Sequence, residues 1–165
     1  MKHDMKRKGF TLVELLIVIV VIGILSAMMM MSSTEATTSA KASNVVSNLR
    51  NLKTAALALY TDNLDSYSSK DAKAPEKKLV FAYLNSGQQI PESKDYDLVG
   101  AEGATVEAKG KGSWYLKYTL AGTASEKARI ASKLAGRAQS VGLLKNESGT
   151  FSKYEGGDEV YMKVR

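Results

Sequence analysis

The sequence predicts an α+β protein in which one long N-terminal α-helix packs on a small antiparallel β-sheet, with one or two additional short helices. Three patterns indicate this fold. Residues 10–31 are almost entirely apolar, and Glu14 is their only charged residue. Apolar side chains then recur at helical spacing between residues 45 and 59, and residues 113–120 alternate apolar and polar side chains as a half-buried strand does.

The apolar run of residues 10–31 is long enough to cross a membrane as a helix. At about 1.5 Å per residue it measures about 33 Å, which matches a hydrocarbon core of about 30 Å. A carboxylate inside such a segment costs about 2 to 3 kcal/mol or more unless it is paired. Glu14 therefore needs a partner that the apolar run does not supply.

Residues 32–62 are predicted to continue the same helix as an amphipathic segment. Their first third is rich in Ser, Thr and Ala. Apolar residues then follow at steps of three and four, as on one face of a helix: Val45, Leu49, Leu52, Ala56 and Leu59. Two helices hinged in the Ser/Thr region are an open alternative, because these side chains hydrogen-bond the backbone locally and have modest helix propensity.

Residues 63–165 are predicted to form a globular α+β body. Thr123 and Glu126 have the spacing of a capping box at the start of a helix, and Gly142 is placed to end it. The predicted elements of the body are a loop at 63–75, a helix at 76–85, strands at 96–99, 105–108 and 113–120, a helix at 124–141, and a terminal β-hairpin of residues 150–154 and 159–164. Gly156 and Gly157 would form the turn of that hairpin.

Composition limits the functions that the chain can have. Half of its net charge of +6 comes from residues 1–9, and the remaining basic residues form no long run, so nucleic acid is not expected as the primary partner. The chain has no cysteine and its single histidine is His3, in the basic head. We therefore expect no disulfide, no metal site, no cofactor and no enzymatic activity.

One segment carries a family resemblance. The motif Lys8-Gly9-Phe10-Thr11-Leu12-Val13-Glu14-Leu15-Leu16 resembles the class III leader junction of type IV pilins and the related pseudopilins. The resemblance implies that residues 1–9 are a leader peptide, and that a prepilin peptidase cuts after Gly9 and methylates the new N-terminal Phe10. Residues 10–31 would then be the transmembrane and filament-core helix.

The resemblance also implies a role for Glu14. Cleavage creates a positive amine on Phe10, one helical turn from Glu14, so pairing within one subunit or between two subunits becomes available. In the family, this acid is attracted to the N-terminal amine of a subunit already in the filament, which sets the axial register. Many members carry a proline near the end of the apolar segment. Here that position is Met31, which leaves Gly23 as the predicted point of helix loosening.

The function implied by the resemblance is that of a structural subunit. Its partners would be other copies of itself in a helical homopolymer, the prepilin peptidase, the pilus assembly machinery and, before assembly, the inner membrane. The precursor would cross that membrane once with its body outside, and the product would be an extracellular filament. Two alternatives stay open: a pseudopilin of a type II secretion or DNA-uptake system, and a membrane-anchored binding module that does not polymerise.

Overall fold

The computed structural model describes residues 9–67, 75–84, 90, 95–100, 113–147 and 150–165. The chain divides into two compact units, Met1–Thr37 and Thr38–Arg165. The predicted α+β fold is confirmed: a long N-terminal helix, short additional helices and a five-stranded antiparallel sheet are all present. The strand predicted at residues 105–108 lies outside the described residues.

The first element, α1 (Leu12–Asp62), is a single helix that contributes to both units. The alternative of two helices hinged in the Ser/Thr region is not what forms. The hydroxyl of Thr34 donates to the carbonyl of Met30 at 3.1 Å, and that of Thr37 donates to the carbonyl of Ser33 at 3.1 Å. Because these hydroxyls bond to carbonyls one turn earlier, they are satisfied without breaking the helix.

The part of α1 that lies in the second unit supplies one side of the core. The predicted apolar stripe is confirmed, since each of its side chains is 5% exposed or less: Val45, Leu49, Leu52, Ala56 and Leu59. Helical spacing puts all of them on one face, and that face is covered by the sheet and the shorter helices.

The elements that follow α1 are α2 (Leu64–Tyr67), α3 (Lys77–Ala82), β1 (Tyr96–Gly100), β2 (Trp114–Thr119), α4 (Ala124–Val141), β3 (Leu143–Glu147), β4 (Thr150–Lys153) and β5 (Glu159–Lys163). The prediction of a loop for residues 63–75 is wrong at its start, where α2 forms. The amides of Ser66 and Tyr67 donate to the carbonyl of Asn63 at 3.1 and 3.2 Å. A single turn of this kind leaves no apolar period by which the sequence could indicate it.

Helix α4 has the ends that the sequence predicted. Thr123 and Glu126 form a complete capping box, in which the hydroxyl of Thr123 accepts from the amide of Glu126 and the carboxylate accepts from the amide of Thr123. Gly142 ends the helix in the left-handed conformation with φ of 76°, and its amide donates to the carbonyl of Ala138. A residue with a Cβ adopts this conformation only at a cost, so glycine suits the position.

The sheet has the strand order β1-β2-β5-β3-β4, and every neighbouring pair is antiparallel. The predicted terminal hairpin is therefore wrong, because β4 pairs with β3 while β5 lies between β2 and β3. Gly156 and Gly157 have positive φ values of 140° and 120°, and they lie in the connection from β4 to β5. The hairpin partner of β4 is β3, a five-residue strand that the sequence analysis missed.

The central place of β5 explains its sequence. Val160 and Met162 face the core and are 0% and 3% exposed, while Tyr161 on the opposite face is also only 6% exposed. Phe151 packs edge-on against Tyr161 at 5.5 Å and stacks on Tyr115 at 3.8 Å. The outer face of β5 is thus covered at Tyr161 by Phe151, an aromatic side chain of β4.

Buried tyrosines predict a loss of stability at alkaline pH. Burial, with the nearby charge of Asp158, raises the pKa of Tyr154 to about 12, and burial likewise raises the pKa of Tyr96 to about 12. The unfolded chain, with a tyrosine pKa of about 10, loses these protons first as the pH rises. The free energy of unfolding should thus be unaffected below pH 10 and fall by about 1 to 2 kcal/mol per tyrosine between pH 10 and 12.

Urea unfolding at a series of pH values measures this fall, and tyrosinate absorbance follows the ionisation. Burial also raises the pKa values of Tyr115, Tyr118 and Tyr161, so Tyr154→Phe removes one of five such hydroxyls. The fall should be smaller in this variant by the share of Tyr154, about 1 to 2 kcal/mol. An equal fall in the variant and the unchanged protein would contradict the assignment to Tyr154.

Candidate functional site

The candidate processing site lies immediately before α1. Gly9, Phe10 and Thr11 are outside regular secondary structure, and all three are exposed, with Phe10 at 84%. A protease needs an accessible backbone that is free of helical hydrogen bonds, and the bond between Gly9 and Phe10 satisfies both requirements. A Cβ added at Gly9 would meet no atom within 4 Å. The fold of the chain itself therefore does not require glycine there.

The first turn of α1 is held by a capping box made of Thr11 and Glu14. The amide of Thr11 donates to Oε2 of Glu14 at 2.8 Å, and the hydroxyl of Thr11 donates to the same oxygen at 2.7 Å. In return, the amide of Glu14 donates to Oγ1 of Thr11 at 3.2 Å. These contacts satisfy amides that have no partner within the helix, and they place the acid at the positive end of the helix dipole.

This geometry shows what the sequence analysis missed. It assigned Glu14 only to an N-terminal amine, although Thr11 and Glu14 have the same Thr-x-x-Glu spacing by which Thr123 and Glu126 were recognised. In the uncut chain the nitrogen of Phe10 is an amide bonded to Gly9 and carries no charge. Glu14 is therefore bonded to Thr11 in this state, and the signal that indicates it was already in the sequence.

From Leu15 to Met30 the helix of the first unit is almost entirely apolar, and its side chains are open. Most of them are about half exposed or more, for example Leu16 at 51% and Ile22 at 56%. By length and composition alone, α1 is the one helix among the described residues that is able to cross a membrane. A helix that is apolar all round is typical of a membrane span or of the centre of a larger assembly.

Gly23 lies inside this helix without disturbing it. It is helical, and a Cβ added there would meet no atom within 4 Å. Nothing in the single chain therefore requires glycine at this position. Glycine still lowers helix stability by about 1 kcal/mol relative to alanine, so loosening at Gly23 stays a prediction for the assembled state.

Comparison with protein-family models matches residues 4–30 to the prokaryotic N-terminal methylation motif. The matched segment is similar to the class III prepilin leader. Leaders of this type belong to the precursors of type IV pilins and pseudopilins, and they imply processing by a prepilin peptidase followed by assembly into filaments. The leader together with the apolar helix fits a membrane-anchored precursor. Searches of curated proteins and of solved structures returned no match, so the comparisons do not extend to the second unit.

Proposed function

We propose that the chain is the structural subunit of a type IV pilus-like extracellular filament. It is cleaved after Gly9, N-methylated at Phe10 and polymerised through its apolar helix. The observation that carries this proposal is the prepilin motif at residues 4–30, which leads into a helix whose apolar side chains are open on all sides. The globular unit forms the outer surface of the filament, and the chain performs no chemistry of its own.

Glu14 supplies the specificity of assembly in this proposal. Both of its hydrogen bonds from Thr11 end on Oε2, which leaves Oε1 for a donor from another subunit. After cleavage, the Phe10 amine of a neighbouring subunit is such a donor, and it carries the opposite charge. Pairing removes the cost of burying an isolated carboxylate in an apolar core, and an offset neighbour would leave both charges unpaired.

Processing is tested at Gly9. We expect Gly9→Val to fold normally, because no atom lies near the added Cβ. The variant should nevertheless keep its leader, since the resemblance assigns the glycine to recognition by the peptidase. Mass spectrometry of the protein from a host with a prepilin peptidase makes the measurement. An N-methylated Phe10 in the unchanged protein is expected, whereas an unmodified, uncut N-terminus would favour a simple membrane anchor.

Filament length tests the rest of the proposal. Electron microscopy of material sheared from the cell surface should show long fibres that contain this chain. If the protein is cleaved and methylated but stays with the cell envelope and forms no long fibre, the proposed pilus is rejected. The chain would then be the subunit of a short pseudopilus, such as that of a secretion or DNA-uptake system.

A further inference from the structure

The apolar helix ends in four consecutive methionines, residues 28–31, which we call the methionine tract. Met28, Met29 and Met30 are 66%, 75% and 77% exposed, whereas the large apolar residues from Leu15 to Leu25 are 49% to 66% exposed. The chain has seven methionines. One of them, Met162, lies on β5 in the core of the second unit and is 3% exposed. The protein thus has exposed methionine side chains in the tract and a buried one, Met162, for comparison.

The tract lies where a water-soluble reagent can reach it. The apolar run is about 33 Å long as a helix, and a hydrocarbon core is about 30 Å thick, so its last residues fall at the membrane boundary. Ser32 and Ser33 follow directly and begin a polar stretch. With the basic head of residues 1–9 on the cytoplasmic side, this boundary is the outer one.

Thioethers are the oxidisable groups in this part of the helix. Hydrogen peroxide transfers one oxygen to the methionine sulfur: the O–O bond breaks, an S=O bond forms, and the second oxygen leaves as water with both protons. The sulfur loses two electrons and the peroxide gains them. The product is a polar sulfoxide, which sulfoxide reductases convert back to the thioether.

The methionine tract is placed so that a sulfoxide on it would lie in a contact between packed helices. Successive residues of an α-helix are about 100° apart around its axis, so Met28, Met29 and Met30 together span about 200° of its circumference. Any face of α1 wider than about 160° that meets another subunit therefore includes at least one of them. An oxidised tract therefore brings a polar group without a hydrogen-bond partner into an apolar contact.

We propose that the methionine tract is an oxidation site that controls assembly: peroxide converts its exposed thioethers to sulfoxides in the unassembled subunit and so prevents α1 from packing. The control is reversible by reduction of the sulfoxide. Once subunits have assembled, the tract is covered and resists the oxidant. This inference rests on the proposed function for its effect on filaments, while the reactivity of the tract is independent of it.

Reactivity is tested on the full chain in vesicles of phosphatidylethanolamine and phosphatidylglycerol. After timed exposure to hydrogen peroxide, peptide mass spectrometry measures sulfoxide at each methionine. Met28, Met29 and Met30 lie at the membrane boundary, whereas Met162 is only 3% exposed inside the core, so the three should be oxidised at least about ten times faster than Met162. Equal rates would overturn the assignment of the site, whether or not the chain forms filaments.

The effect on assembly is tested with a variant that has leucine at all four tract positions, a change that nearly conserves side-chain volume. Peroxide should raise the critical concentration for filament formation at least about tenfold per buried sulfoxide in the unchanged protein. It should leave the leucine variant unaffected, and methionine sulfoxide reductase should restore assembly. Equal filament yields from oxidised and untreated protein, or equal sensitivity of the leucine variant, would overturn the inference. Failure of untreated protein to form any filament would instead reject the proposed function.

Discussion

Glu14→Ala should abolish filament assembly while cleavage after Gly9 and folding of the second unit continue. Without the carboxylate, the Phe10 amine of a neighbouring subunit is left as an unpaired charge in an apolar core. Breaking a buried ion pair in this way costs about 3 to 5 kcal/mol, which weakens a subunit contact by about two to four orders of magnitude. Filament yield by shearing and sedimentation, and leader removal by mass spectrometry, measure the two effects separately.

Two further variants separate the charge of Glu14 from its role in the capping box. Glu14→Gln keeps a side chain that is able to accept from the amide of Thr11, because glutamine also serves at this position of a capping box. It should still assemble poorly, since the attraction to the amine is lost. Glu126→Ala is the matched control, because it removes the same type of box and a 3.2 Å ion pair with Lys41 in the second unit. We expect it to form filaments.

Three results would contradict the pairing of Glu14 with the Phe10 amine of a neighbouring subunit. Normal filaments from Glu14→Gln would show that the acid serves only to begin the helix, and the capping box with Thr11 would then be its whole function. Normal filaments from Glu14→Ala would show that assembly needs neither the charge of Glu14 nor its capping box. Loss of filaments in Glu126→Ala alone would assign assembly to the second unit and leave the first turn of α1 without a part in it.

Periodic patterns predicted most of the fold. The stripe that includes Leu49 and Leu52 indicated the buried face of α1, and the alternation around Trp114 and Leu116 indicated a strand of the sheet. Local chemistry predicted the ends of α4, because a capping box and a terminal glycine act over one turn. These features depend on neighbours in the sequence, so the sequence alone is enough to indicate them.

Strand pairing could not be predicted in the same way. The sequence around Gly156 and Gly157 indicates a turn, but a turn does not reveal whether the flanking strands pair with each other. Here β5 pairs with β2 and β3, and its side chains Val160 and Tyr161 are both buried. The choice depends on contacts between residues far apart in the chain, and the sequence of β3 (Leu143–Glu147) does not alternate apolar and polar residues.

Sequence patterns likewise predicted one part of the candidate site and missed another. Gly9, Phe10 and Glu14 were indicated by a contiguous motif, and the family comparison matches the segment that contains them. The contact between Glu14 and Thr11 follows from their Thr-x-x-Glu spacing. The sequence analysis missed it because it considered only charged groups as partners of the acid. A hydroxyl and a backbone amide are partners too, and at the start of a helix they are the nearest ones.

Leu49→Ala should destabilise the second unit by about 2 to 5 kcal/mol, which is the usual cost of deleting a fully buried leucine side chain. Leu49 is 0% exposed, on the stripe of α1 that faces the core. Leu79→Ala on α3 is the matched control, because Leu79 is 46% exposed and a surface substitution of this kind changes stability by about 0.5 kcal/mol or less.

Urea unfolding of the full chain in detergent micelles measures the difference, and Trp114, the only tryptophan, reports it by fluorescence. Its ring lies edge-on to Tyr60 of α1 at 5.5 Å and to Tyr67 of α2 at 5.2 Å, so its emission changes when α1 leaves the sheet. Equal stabilities for the two variants would mean that this half of α1 is only a spacer. The expected difference would instead make α1 a core element of the second unit, because a helix that merely led to the globular unit would lose no stability from a shortened side chain at position 49.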